Sequence, residues 1–143
     1  MKSIWFNENV TLEMISTFNK DTIMEALDIK YTELGPDYLS GTLPVSNKTV
    51  QPHKKLHGGA SCVLAETLGS VASNLIIDQA SSFAVGQHIS TQHLRPGNLG
   101  ETVTGKAVLV HFGSKTHLWN IDITNPEGKL VSTTRLTMAI VKK

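Results

Sequence analysis

Apolar positions recur at helical spacing between Thr11 and Ala26, with Leu12, Ile15 and Phe18 on one stripe. Thr22-x-x-Glu25 offers a second start in the form of a capping box. One or two short helices are therefore predicted there. Leu27 to Leu34 and Tyr38 to Val45 read as two strands about Gly35-Pro36-Asp37, a turn in which proline presets φ and glycine permits φ > 0. Ser46 to His57 is mostly polar, with Lys48, Lys54 and Lys55, and reads as an irregular loop. A helix of about 20 residues follows, roughly Gly58 to Ile77, full of small side chains that would let it lie close to its cover. Four runs rich in Val, Ile, Thr and Trp come last: Phe83 to Leu94, Thr102 to Phe112, Thr116 to Thr124 and Leu130 to Val141. The turns between them hold Pro96-Gly97, Gly113-Ser114 and Asn125-Pro126-Glu127-Gly128, and together the runs predict a β-meander. A hairpin, one long helix and then strands, segregated rather than alternating, predict an α+β domain with an antiparallel sheet packed on one helix.

The 143 residues suit a single domain with a real core, and the 40% apolar and 17% charged fractions are those of an ordinary folded chain. A formal charge of +1 supplies no basic field for nucleic acid and no cationic stripe for an anionic membrane. Cys62 is the single cysteine, so no internal disulfide forms, and MKSIWFNENV lacks the apolar core of a signal peptide. Both point to the cytoplasm. The apolar stretch Gly59 to Ile77 is interrupted by Glu66, Asn74 and serines, which argues against a membrane span.

Glu66 is the one acidic or basic side chain between Gly58 and Ile77, on a helix expected to be wrapped by the sheet. Burying a carboxylate is costly, so this residue needs a reason. Ser70, one turn on, shares its face and could hold a water beside it. At the helix start, Gly58 and Gly59 are expected to leave backbone N–H groups free at the positive end of the dipole, a candidate oxyanion hole, with His57 and Gln51 upstream to orient a carbonyl. Gly58 and Glu66 are eight positions apart, about 12 Å along the axis. One carbonyl carbon must lie roughly 3 Å from both nucleophile and oxyanion donors. Two antiparallel copies of the helix would satisfy this, which predicts a dimer with two shared sites.

The segment Gln51-x5-His57-Gly58-Gly59-Ala60-Ser61-x4-Glu66-x3-Ser70 resembles the hot-dog fold thioesterases, in the branch acting on aromatic acyl-CoA. That branch holds the 4-hydroxybenzoyl-CoA, 1,4-dihydroxy-2-naphthoyl-CoA and phenylacetate-pathway enzymes. Leu27-Asp28-Ile29, Leu64-Ala65-Glu66-Thr67-Leu68-Gly69-Ser70, His93-Leu94-Arg95-Pro96 and Gly113-Ser114-Lys115 leading to Trp119 extend the similarity over nearly the whole chain. The resemblance implies a hot-dog fold, an acyl-CoA substrate, no cofactor or metal, and a homodimer that pairs into a tetramer. It implies that Gly58 N–H, with His57 and Gln51, polarises the thioester carbonyl. Glu66 of the partner would then act as nucleophile or general base, with Ser70 positioning water. His93, Arg95, Ser114 and Lys115 would lie near the CoA moiety, and menaquinone biosynthesis is the pathway most in keeping with the match.

Other readings stand beside this one. Glu66 could neutralise a buried cation such as Arg95. His53 and His57 are four apart but sit in a proline-containing loop with no third metal ligand in view. His88 and His93, an odd number apart on a strand, face opposite ways, while Cys62 and Trp119 read as packing residues. A dehydratase acting on 3-hydroxyacyl thioesters, or a non-catalytic acyl-CoA binding protein, would use the same fold.

Overall fold

The computed structural model describes residues 2–143. The chain runs α1 (Leu12–Ser16), a 3₁₀ turn (Thr17–Asn19), α2 (Ile23–Ala26), β1 (Lys30–Leu34), β2 (Tyr38–Pro44), α3 (Gly58–Leu75), β3 (Ser82–His93), β4 (Thr102–Phe112), β5 (Thr116–Thr124) and β6 (Leu130–Lys142). The predicted α+β plan, one long helix against an antiparallel sheet, is the one observed.

The N-terminal helices are shorter than the apolar periodicity suggests. Thr11 caps α1 by accepting from Met14 N, and Thr22 caps α2 by accepting from Met24 N. The capping box is a variant: Glu25 reaches back to the backbone N–H of Asp21 (2.8 Å), not to that of Thr22. Asp21 and Asp28, both with φ near +60°, stop the helices, so β1 begins at Lys30 rather than Leu27. At the β1–β2 turn Gly35 N donates to Tyr38 O (2.9 Å), yet Gly35 is not left-handed. Its missing side chain instead makes room for the Tyr38 ring.

The sheet order is β1-β2-β4-β5-β6-β3. The expected four-stranded meander is therefore only β4-β5-β6, and β3 lies at the far edge, antiparallel to β6. Helix α3 accounts for this. It leaves β2 on one side of the sheet, crosses the sheet, and delivers the next strand to the other side. The segment after β3 then returns, with Leu94 N bonded to Val131 O and an isolated bridge between Lys55 and Asn98, to place β4 beside β2.

Leu64, Ala65, Leu68 and Ala72 of α3 are buried against Leu39, Leu43, Val103, Ala107, Ile121, Ile123, Leu136 and Met138. The approach is close because Leu68 drops between Gly41 and Gly105, where added Cβ atoms would stand 2.8 and 2.7 Å from its methyl groups. Trp119 is fully buried, as its composition-based reading as a packing residue predicts, and its indole N–H donates to Ser73 Oγ (2.6 Å). Ser73 Oγ also pairs with Nδ1 of the buried His117 (3.1 Å), whose Nε2 has no partner among the described residues. Burial, with a smaller contribution from His111, pushes the His117 pKa down to about 4. Among the described residues no helix is long and apolar enough to cross a membrane.

Candidate active site

His57 is the N-cap of α3, and its imidazole Nδ1 accepts from Gly59 N (2.8 Å). The expectation of two free N–H groups is thereby halved. Gly59 is taken by the cap, because an imidazole at that position can accept as a Ser or Asp side chain would. Gly58 N, on the described residues, donates to nothing. It is the remaining candidate for an oxyanion donor, and the cap leaves the His57 proton on Nε2 when the ring is neutral.

A cavity of about 430 Å³ opens at this helix end. Gln51, Gly58 and Ser61 line it from the loop and helix, His93 and Arg95 from the end of β3, and Lys55 from the loop. The His93 ring rests on Gly58, where a Cβ would be 2.8 Å from His93 Nε2. His93 is thus beside the free Gly58 N–H as well as in the CoA-side group the resemblance assigns it. Gln51 Oε1 accepts from the backbone N–H of His53, which orients the amide and leaves its NH₂ without a partner among the described residues. Lys55 Nζ is steadied by Asn98 Oδ1 (2.7 Å), and Asn98 N and Nδ2 in turn donate to Glu101, holding that carboxyl below its ordinary range.

Glu66 lies elsewhere. The sheet does not wrap its face of α3, and its side chain is exposed, which corrects the expectation of a buried carboxylate. The reason is β3, an edge strand that covers this side of the helix only in part. Glu66 and Ser70 share a separate cavity of about 280 Å³ whose other walls are Ile23, Met24, Val63, Thr67 and Val71. Among the described residues Glu66 forms no ion pair; Arg95 Nη1 donates instead to Leu130 O (2.8 Å), so the Arg95 partnership does not form.

Ser114 and Lys115 occupy the exposed β4–β5 turn, where Lys115 O accepts from Ile140 N (2.9 Å). Ile140 aligns with Ala84, whereas the Gly58 cavity adjoins the Ser132–His93 row. Eight residues of strand separate the rows, about 26 Å, so one chain does not bring these two residues to Gly58. His53 and His57 have no third ligand: no cluster of three His, Cys, Asp or Glu side chains exists among the described residues. Sequence reading passed over Gly86, which faces Glu66, and Asn74, which ties α3 to β3. An isolated glycine inside a strand pattern was the signal available for the first.

Residues 53–132, the span that carries His57, Gly58, Glu66, Ser70 and His93, match the family model described as the thioesterase superfamily. The chain belongs to the thioesterase superfamily. The 1,4-dihydroxy-2-naphthoyl-CoA hydrolase of Escherichia coli is 38% identical over 138 residues, covering 96% of this chain and 99% of that one. The proofreading thioesterase EntH of Cronobacter sakazakii is 41% identical over 138 residues, with 96% and 98% covered. The crystal structure of a mutant thioesterase from Pseudomonas aeruginosa superposes with a TM-score of 0.95 at 37% identity, covering 99% of this chain and 100% of that one. The fold is accordingly that of the hot-dog thioesterases, and the protein is a thioester hydrolase.

Proposed function

We propose that this thioesterase hydrolyses acyl-CoA with an aromatic acyl group, of the 1,4-dihydroxy-2-naphthoyl or hydroxybenzoyl kind, at two equivalent sites shared across a symmetric dimer. The observation that carries the reading is the division of labour along α3. The free Gly58 N–H lies at a cavity with Lys55, His93 and Arg95 in its wall, while Glu66, about 12 Å along the helix, faces a mainly apolar one. An antiparallel copy of α3 brings the two halves together. The edge of β3, twelve residues with neither lysine nor proline, supports pairing with a second copy. The same pairing carries Ser114 and Lys115 of the second copy toward the Gly58 end. The apolar walls beside Glu66 suit an aromatic ring, and the Escherichia coli relative is named for such a substrate.

In this mechanism Gly58 N–H receives the developing oxyanion, with Gln51 and His57 beside it. Glu66 of the other subunit either attacks the carbonyl carbon, giving a mixed anhydride that water opens, or takes a proton from the attacking water, which Ser70 holds. The C–S bond breaks and CoA leaves as a thiolate that is then protonated. Lys55, His93 and Arg95 line the way out for the pantetheine arm and phosphates. Each oxyanion donor is worth about 10²–10³ in rate.

The test is thiol release from aryl-, hydroxynaphthoyl- and fatty acyl-CoA by the protein and by Glu66→Gln and Gln51→Ala. Fast release from aromatic substrates, lost in both variants and restored on mixing them to roughly a quarter of the original rate, supports a shared site. No restoration on mixing would place both residues of a site in one chain, and no release from any substrate would retire the hydrolase mechanism drawn here.

A further inference from the structure

We infer that Gly86 and the β-bulge beside it form the seat of the Glu66 carboxylate, which makes Gly86 a positioning residue for thioester cleavage. This rests on the role proposed for Glu66. Gly86 is in register with the buried Met138, on the face of β3 turned toward α3. A Cβ there would overlap Glu66 Oε1 and stand 3.4 Å from Glu66 Cδ. Any side chain at this position would push the carboxylate off its present place. Directly after Gly86 the register slips, so that Gln87 has no partner on β6 and His88 faces Thr137. A bulge re-aims the strand around it, and here it does so next to the one carboxylate of α3.

The surroundings hold this contact in place. Cys62, Glu66, Ser70 and Asn74 follow one another at helical spacing along the side of α3 that meets β3. On one side of Glu66, Cys62 Sγ lies 3.4 Å from Thr91 Oγ1, which itself bonds Thr134 Oγ1 (2.9 Å). On the other, Asn74 grips the backbone of Ala84 twice, accepting from its N–H (2.9 Å) and donating to its carbonyl (3.1 Å). The edge strand is pinned to the helix at Ala84 and Thr91, and Gly86 lies between the pins. The helix and strand beside the carboxylate are thus cross-linked, and the absent side chain at Gly86 leaves the carboxylate its room.

The experiment is a double-mutant cycle on Gly86→Ala and Glu66→Asp, with kcat and KM read for an aryl-CoA and a thermal melt of each variant. Gly86 has no left-handed φ, so alanine suits the backbone. Gly86→Ala displaces the carboxylate by about 1 Å and lowers kcat about 10²-fold, while KM is little changed. Glu66→Asp withdraws the carboxylate from the added methyl, so the double variant is no slower than Glu66→Asp alone. Should Gly86→Ala fail to fold, the comparison of the double variant with Glu66→Asp decides by itself. Gly86→Ala turnover within about twofold of the original, or multiplicative losses in the cycle, would overturn the inference while leaving the proposed function standing. Full turnover in Glu66→Gln would overturn both.

Discussion

His117 makes the stability of this protein depend on pH, with a sign and window set by its burial. The folded-state pKa of about 4 lies below the ordinary value of 6.5, so the unfolded chain binds the proton first as pH falls. The stabilisation is fully present above 6.5, declines as pH drops through the interval, and is gone below about 4. At 1.36 kcal/mol per pH unit the loss is about 3 kcal/mol, a large share of the 5–15 kcal/mol typical of a domain. His117→Asn keeps a polar partner for Ser73 and removes the titration. Urea unfolding at fixed protein concentration, in steps from pH 7.5 to 4, should show a steep decline in the original protein and a shallower one in the variant. Glu13 and Glu101, whose carboxyl pKa values are lowered by hydrogen bonds, are common to both proteins. Equal pH slopes for the two proteins would refute the assignment of this dependence to His117.

Ser73→Ala removes the acceptor of the Trp119 indole and the partner of His117 together, leaving buried polar groups unmatched; chemical denaturation should record a loss of about 2 to 3 kcal/mol. Lys55→Ala, on the rim of the polar cavity, should raise KM for acyl-CoA severalfold with kcat nearly unchanged, and make KM less sensitive to salt. An unchanged KM would mean that the CoA moiety does not pass that side chain.

Much of the fold was legible along the chain. Alternating β-branched runs and glycine-proline turns located all six strands, two of them to the residue, because side-chain period and turn chemistry are local properties. The glycine pair, His57, Glu66 and Ser70 stood out as candidates for a related reason: helix spacing alone separates Gly58 from Glu66 by more than one carbonyl can bridge. Strand order was not legible, because where β3 goes after the helix depends on how α3 crosses the sheet. Nor was the exposure of Glu66, which follows from β3 being an edge. His57 capping Gly59, His93 resting on Gly58, and the seat at Gly86 all join residues distant in sequence or set by local dihedrals that composition does not encode. The sequence by itself determined which elements form and which side chains are candidates for the chemistry. The tertiary structure decided which N–H stays free, which face of α3 stays open and where the carboxylate rests, because these are outcomes of packing between segments rather than of any segment alone.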